Sequence, residues 1–187
     1  MCVESTTNLT DYVTAIAAVT GVIIAGLGLG AWKKQLRGTS EYELAKRLML
    51  QVYQLRDALQ AARNPFLSVS EGDKDDTEET WEITAYKKRW DVVRGILSEF
   101  YVTSLEAEVV WDDNTKKSKK SLLGLVHDLN FALEMFIRQK KDKAFADDFH
   151  KDYEDTIYHI SDEDKYSKSL NQAVQSYEKI LKQHLKK

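Results

Sequence analysis

The first part of the chain contains one long stretch from which charged side chains are missing. Residues 12–32 form a run of 21 residues without a charge, and fifteen of them are apolar or aromatic. The other six are four glycines and two threonines. As a helix rising about 1.5 Å per residue, the run would extend about 31 Å, close to the roughly 30 Å hydrocarbon core of a bilayer. The pattern therefore predicts a single transmembrane helix at residues 12–32.

A cleaved signal peptide and a buried helix of a soluble domain are the alternatives for this run. A signal peptide has a basic start and about 7–15 apolar residues. This chain instead carries only Glu4 and Asp11 as charges in its first 32 residues, and its apolar run is longer. A buried helix of a soluble domain usually keeps one polar face, and this run has none. The transmembrane interpretation is favoured.

The charges that flank the run predict its orientation. Lys33, Lys34 and Arg37 follow it directly, and no Lys or Arg precedes it. Because cytoplasmic flanks carry the excess of Lys and Arg, residues 1–11 are expected to form a short tail outside, with residues 33–187 in the cytoplasm. We expect a bacterial inner-membrane protein. Cys2, the single cysteine, would lie outside as a spectator thiol.

Small residues four positions apart form two neighbouring stripes along the predicted span, one with Ala17, Gly21 and Ala25 and the other with Gly26 and Gly30. Such positions let two helix backbones approach closely in lipid, which predicts a homo-oligomer packed through Ala17, Gly21, Ala25, Gly26 and Gly30. A Gly- and Ala-rich anchor without a partner remains the alternative. Residues 26–31 also fit the G-x-G-x-x-A dinucleotide fingerprint, but that fingerprint requires a strand before it and a helix after it. We discard this match.

Beyond residue 33, apolar residues recur at spacings of three and four, the signature of one face of a helix. Five such stripes occur, at residues 45–62, 83–100, 122–136, 149–160 and 170–181. Pro65 is expected to end the first helix, and residues 66–77 read as a polar loop. The second helix is expected to bend or break after Ser104, where the apolar pattern shifts to Leu105 and Val109. Residues 112–120 read as a charged connection.

The last helix is expected to begin at a capping box formed by Ser161 and Asp164. Each stripe is too short for an extended coiled coil and suits a compact bundle. The predicted fold is therefore all-α, with a single N-terminal transmembrane helix followed by a cytoplasmic antiparallel bundle of four to five helices. The bundle domain would comprise residues 33–187.

Composition narrows the possible functions. The chain has 187 residues, with 27 Lys and Arg against 30 Asp and Glu, one proline and one cysteine. The near balance of charge argues against a nucleic-acid partner. One cysteine excludes a multi-cysteine zinc site, and a single proline with few other turn residues disfavours an all-β fold.

One group of side chains could bind a divalent ion. Asp148, Asp152, Asp155 and His159 share a helical face, and carboxylate and imidazole groups are metal ligands. Bundle metal sites, however, use ligands that project inward from several helices, whereas this face lies opposite the apolar stripe. We favour a solvated acidic face. No H-E-x-x-H or G-x-S-x-G motif occurs, so we expect no metal, no cofactor and no catalytic site.

The basic residues have a different potential use. Anionic lipid attracts a nearby Lys or Arg with roughly 1 kcal/mol each. The candidates for lipid contact are Lys33, Lys34, Arg37, Lys116, Lys117, Lys119 and Lys120. An ordinary solvated loop is the alternative for the last four.

These patterns predict a non-enzymatic interaction or scaffold module at the inner membrane face. Its expected partners are the lipid bilayer, a second copy through the span and an unidentified protein. One alternative is a membrane-tethered effector, of the toxin or phage-exclusion type, acting through oligomers of the span. A metal-binding sensor or an enzyme is the other.

Overall fold

A computed structural model of the chain describes residues 4–66, 78–111, 113–141, 150–158, 161 and 163–185. Within these residues the chain forms α helices and no strand, so the all-α prediction is confirmed. The five helices are α1 (Glu4–Ala62), α2 (Glu78–Trp111), α3 (Asp113–Lys141), α4 (His150–Ile157) and α5 (Lys165–Leu185). The predicted loop lies outside the described residues except for Phe66.

The chain divides into two compact units, Met1–Tyr42 and Glu43–Lys187. The described part of the first unit is the long apolar helix at the start of α1. The second unit is the helical bundle, to which α1 contributes residues 43–62. The predicted boundary after residue 32 marks the end of the apolar run, whereas the compact bundle begins at Glu43.

Ion pairs show that neighbouring helices of the bundle run antiparallel. Arg47 on α1 pairs with Glu106 on α2, and Arg89 of α2 donates to the carbonyl of Asn64, just past the end of α1. The α2–α3 pair is equally antiparallel, since Lys119 and Lys140 of α3 pair with Glu108 and Glu82 of α2 respectively.

The predicted apolar stripes supply most of the core. Every predicted core position on α1, α3 and α5 is buried. On α2 the stripe at residues 83–100 is buried or half-buried, and on α4 Ile157 is buried while Phe149 and Ile160 lie outside the described residues. Phe100 packs edge-on against Tyr177, with their ring centroids 5.8 Å apart. Phe100 therefore contacts α5, whereas Tyr86 of the same stripe packs against Phe136 of α3.

The predicted break after Ser104 is wrong, because α2 continues without interruption to Trp111. The buried face keeps its phase through Thr103, Ser104 and Ala107, while the predicted core positions Leu105 and Val109 are exposed. Thr103 can be buried because its hydroxyl donates to the carbonyl of Glu99 at 3.1 Å. Small and polar residues thus extend the core face beyond the last large apolar residue.

The predicted charged connection at residues 112–120 is also wrong, since α3 already begins at Asp113. Ser118 and Thr115 are buried and continue the stripe of Leu122 toward the start of the helix, by one and two turns respectively. Lysine is a good helix former, so the four lysines do not oppose this helix. Residue 112, between α2 and α3, lies outside the described residues.

The cap of α5 differs from the predicted one by one turn. Asp164 is the cap residue: its carboxylate accepts the backbone N–H of Ser167 at 2.7 Å and the Ser167 hydroxyl at 2.9 Å. Ser161 instead accepts the backbone N–H of Glu163 with its hydroxyl. A side-chain oxygen that accepts the backbone N–H three residues further on is the usual arrangement at the N-cap of a helix.

A buried arginine at the end of α1 joins these helix ends. Arg63 is fully buried, and its guanidinium faces three backbone carbonyls around the end of α4. The Nε atom donates to Thr156 at 2.7 Å, and Nη2 donates to Asp155 at 2.9 Å and Tyr158 at 3.0 Å. Carbonyls in the last turn of a helix lack intrahelical partners, so Arg63 caps α4.

The same guanidinium also binds the start of α5. It donates to the Asp164 carboxylate at 3.0 Å and to the Ser167 hydroxyl at 2.9 Å. One face of the guanidinium lies over the Tyr166 ring, 4.4 Å from its centroid, and the Tyr166 hydroxyl donates to the carbonyl of Leu125 on α3. Arg63 therefore links α1, α4 and α5, and Tyr166 extends the link to α3.

Replacing Arg63 should destabilise the bundle strongly. Arg63→Met would leave three carbonyls without this donor and the Asp164 carboxylate without its cation, and breaking a buried pair typically costs about 3–5 kcal/mol. We expect the free energy of unfolding to fall by about that amount, measured by denaturant titration of the full chain in mild detergent. Arg94→Met is the control, because Arg94 is exposed and pairs with Asp91 on its own helix. Equal stability of the two variants would contradict this role.

The Asp164 carboxylate should make stability depend on acid pH. Burial would raise its pKa, but hydrogen bonds from Ser167 and the Arg63 guanidinium outweigh burial and lower the pKa from 3.8 to about 2. Because the folded pKa is the lower one, the stabilisation is complete above about pH 4 and is lost as the pH falls toward 2. A shift of this size corresponds to about 2 kcal/mol.

We expect the wild-type chain to lose about 2 kcal/mol more stability than Asp164→Asn between pH 5 and pH 2. Asp57→Asn is the matched control, since Asp57 is exposed and pairs with the neighbouring Arg56. Denaturant titrations at each pH give the comparison. An acid profile of Asp164→Asn that overlays the wild-type profile would refute the assignment.

Candidate functional site

The first unit is a helix with apolar side chains exposed on every side. Val22, Ile23 and Ile24 are successive residues, which point about 100° apart around a helix, and all three are more than half exposed. No residue of the run at 12–32 is buried. Among the described residues this is the one helix long and apolar enough to cross a membrane, with a mean hydropathy of 2.1 over its best 18-residue window.

The small residues of this helix are open to their surroundings in the part of the chain that the structure describes. A methyl group added at Gly21, Gly26 or Gly30 would meet no atom within 4 Å, and Ala17 and Ala25 are exposed. Crowding inside this chain therefore does not account for these small residues. Packing against a second copy stays a prediction.

The basic residues that follow the apolar run are exposed. Lys33 and Lys34 lie on the surface of the helix, and Arg37 donates to Glu41 one turn further on, at 3.0 Å. Surface pairs of this kind contribute little to stability, so these side chains keep the freedom to contact lipid headgroups. Lipid contact here remains a prediction.

The four lysines predicted to contact lipid have different environments. Lys116, Lys117 and Lys120 are exposed on the first turns of α3. Lys119 is only 7% exposed, and its ammonium pairs with Glu108 at 3.0 Å. The same ammonium lies 4.3 Å from the centroid of the Tyr101 ring. Lys119 therefore joins α3 to α2, whereas the side chains of the other three lie on the surface of the helix.

The predicted acidic and histidine face can be examined only in part. Asp148 and His159 lie outside the described residues, as does the side chain of Asp152. Asp155 is exposed. Among the described side chains, no three His, Cys, Asp or Glu residues come together as a metal site would require.

A groove of about 600 Å³ lies between α2 and α3. Its floor is apolar and aromatic, formed by Tyr86, Trp90, Leu133 and Ile137. Charged and polar residues surround this floor, among them Lys87, Arg94, Asn130 and Glu134. An apolar centre with a polar rim, rich in aromatic residues, is the composition of protein interfaces.

A second cavity, of about 400 Å³, lies among α3, α4 and α5. Phe131, Tyr153 and Tyr166 line it together with the carboxylates of Asp128 and Asp155 and the ammonium of Lys165. Burial raises the pKa of the Tyr166 phenol, which therefore remains protonated and donates to Leu125 as described above. The cavity thus lies directly beside the Arg63 contacts.

The sequence patterns do not predict two features of the bundle, the role of Arg63 and the α2–α3 groove. Arg63 lies four residues after Leu59, in phase with the buried stripe of α1, so the sequence alone indicates an arginine on the core side of the helix. The groove cannot be predicted from the sequence, because its shape depends on the relative placement of α2 and α3. The predicted core stripe of α2 includes Trp90, which is half-buried and lines the groove.

Comparisons of the chain with family models, with curated proteins and with solved structures give no match. The functional conclusions therefore rest on the residues and contacts described above.

The difference between Lys119 and its neighbours can be measured. Lys119→Met would leave the Glu108 carboxylate, itself only 25% exposed in the pair, without its partner. Losing a hydrogen bond to a charged group typically costs about 1.5–3 kcal/mol, and we expect a loss of this size in the free energy of unfolding. Lys117→Met should change it by less than about 0.5 kcal/mol, because that side chain is exposed. If Lys119→Met changed the free energy of unfolding as little as Lys117→Met, the pair between Lys119 and Glu108 would contribute no stability.

Proposed function

We propose that this protein is a single-pass, membrane-anchored interaction module without enzymatic activity, with its helical bundle at the inner face of the membrane. The observation that carries the proposal is the uncharged helix at residues 12–32, whose apolar side chains are exposed all round among the residues that the structure describes. Burying that surface in lipid is favourable, and only a helix can cross lipid as a single segment.

The charge distribution supports one orientation. Lys33, Lys34 and Arg37 follow the span, and the preceding tail has no basic residue. In this proposal residues 1–11 lie outside and the bundle lies in the cytoplasm, as in a bacterial inner-membrane protein.

The mechanism we propose is localisation. Holding the bundle at the membrane raises its effective concentration for any partner at the same surface, so weak contacts suffice. The α2–α3 groove offers such a contact, because the half-buried Trp90 that lines it belongs to the residue types that dominate protein interfaces. A protein partner therefore fits this groove better than a small polar substrate.

Association of two spans is part of the same proposal. The open space beside Gly21, Gly26 and Gly30 would let a second helix approach closely. A homo-oligomer would also present several bundles side by side and so strengthen binding to a repeated partner.

Membrane anchoring tests the proposal directly. We expect the full chain to stay in the membrane pellet after carbonate washing. Ile23→Lys with Leu27→Lys puts two charges on one face near the middle of the span, where each costs about 2.5–3.5 kcal/mol on insertion scales. This double variant should move to the supernatant, as followed by immunoblotting of both fractions.

The matched control places the same charges on exposed apolar positions of the bundle. Leu50→Lys with Val92→Lys should remain in the pellet, because both residues lie on the bundle surface. A wild-type chain recovered in the supernatant would overturn the anchoring and the localisation mechanism together.

A further inference from the structure

The cavity among α3, α4 and α5 has an aromatic wall made by two helices. Phe131 of α3 and Tyr153 of α4 both line it, with ring centroids 5.8 Å apart and ring planes inclined by 66°. Two rings at such an angle enclose a corner between their faces. The face of an aromatic ring carries the negative part of its quadrupole and attracts a cation. This wall therefore favours a positively charged ligand over an anion.

The back of the cavity already contains one cation bound in this way. The Tyr166 ring lines the cavity and holds the Arg63 guanidinium 4.4 Å from its centroid. Arg63 is itself paired with the Asp164 carboxylate at 3.0 Å, so its charge is compensated within the bundle. Because Tyr166 is only 6% exposed, most of the aromatic surface open to a ligand comes from Phe131 and Tyr153.

Two carboxylates from different helices also line this cavity. Asp128 of α3 and Asp155 of α4 are both exposed. Among the side chains that the structure describes, neither carboxylate has an ion-pair or hydrogen-bond partner. Burial raises the pKa of the Tyr166 phenol, and the charge of Asp128 raises it further, which places that carboxylate near the aromatic lining. Two negative charges thus lie beside surfaces that attract a cation.

One positive charge lies at the same cavity. Lys165, at the start of α5, lines it and is exposed. The lining therefore carries two negative charges and one positive charge. A lysine has a flexible four-carbon stem, so its ammonium is able to turn toward water when a second cation enters. The net charge of the lining still favours a cation.

We infer that this cavity binds a small organic ammonium ion. Its volume of about 400 Å³ lies within the range of ligand pockets, roughly 300–1,000 Å³. The rings contact the apolar groups around the nitrogen, and the two carboxylates compensate its charge, as in sites that recognise quaternary ammonium ions. A bare divalent metal ion fits less well, because it prefers about six oxygen ligands and the rings supply none. The inference concerns the bundle alone and does not depend on membrane anchoring.

Equilibrium dialysis with radiolabelled choline tests the site. The full chain is kept in a maltoside detergent, which carries no ammonium group. We expect saturable binding of one choline per chain with a Kd below about 1 mM, within reach of a ligand of seven non-hydrogen atoms. The matched competitor is 3,3-dimethylbutan-1-ol, which has the shape of choline without its charge. It should compete at least about tenfold less well than tetramethylammonium, because only the charged ligand is attracted by the rings and carboxylates.

Two variants test the residues that carry the inference. Asp128→Asn removes one charge, and Phe131→Leu keeps an apolar side chain but removes the ring. Each should weaken choline binding about fivefold or more. Asp57→Asn is the control and should leave binding unchanged, because Asp57 lies on α1 and does not line the cavity. Asp155→Asn provides a further variant, since the backbone carbonyl that accepts a hydrogen bond from Arg63 is retained.

The lysine separates a cation site from a site for an anion or a zwitterion. Lys165→Met should strengthen choline binding about twofold or more, because a like charge beside the ligand is removed. Glycerophosphocholine as a competitor then identifies the source of the ammonium. Stronger competition than choline that disappears in Lys165→Met assigns the site to a lipid headgroup, and competition no stronger than that of choline assigns it to a free cation. Both results support the inference.

Four results would overturn this ammonium site. They are the absence of saturable choline binding, equal competition by the neutral alcohol, choline affinity unchanged in both Asp128→Asn and Phe131→Leu, and weaker choline binding in Lys165→Met. Calcium that displaces choline at lower concentration than tetramethylammonium does would assign the carboxylates to a metal instead. Denaturant titration of each variant shows whether its bundle is folded under the conditions of the dialysis.

Discussion

A buried guanidinium must have acceptors for its donors and an anion for its charge, and Arg63 obtains both from the ends of other helices. The carbonyls at the end of α4 and the cap residue of α5 meet at one side chain. The eight-residue helix α4 contributes Ile157 to the core, and Tyr153 packs against Phe131 of α3. Arg63 adds the hydrogen bonds of its last carbonyls, so this link depends on α1 remaining helical up to Ala62, directly before Arg63.

The sequence predicts which segments of the bundle are helical better than it predicts where each helix begins and ends. Large apolar residues repeat in phase along α1, α3 and α5, and burial of those residues follows directly. Thr103, Ser104, Thr115 and Ser118 occupy the same phase but are polar, so a pattern based on apolar residues stops before the helix does. The Thr103 hydroxyl donates to the Glu99 carbonyl of its own helix. The burial of all four residues depends on contacts with other helices, which become visible only once the helices are assembled.

The lysines at the start of α3 show the same limit for the site. In sequence they form one basic cluster, but Lys119 is buried against Glu108 and Tyr101 while its neighbours are exposed. Successive residues point about 100° apart around a helix. Of two adjacent lysines, one can therefore face solvent while the other pairs inside the bundle. The identity of the exposed lysines could be predicted only after α3 was known to begin at Asp113 and its core face was known.

Leu105 and Val109 show how the phase of a helix decides which side chains its surface presents. Thr103 and Ala107 occupy the buried positions of α2, so the larger apolar side chains of Leu105 and Val109 face solvent. A pattern based on hydrophobicity alone would place the larger residues inside, because burying them removes more apolar area from water. Thr103 can take the buried position because its hydroxyl donates to the Glu99 carbonyl of its own helix.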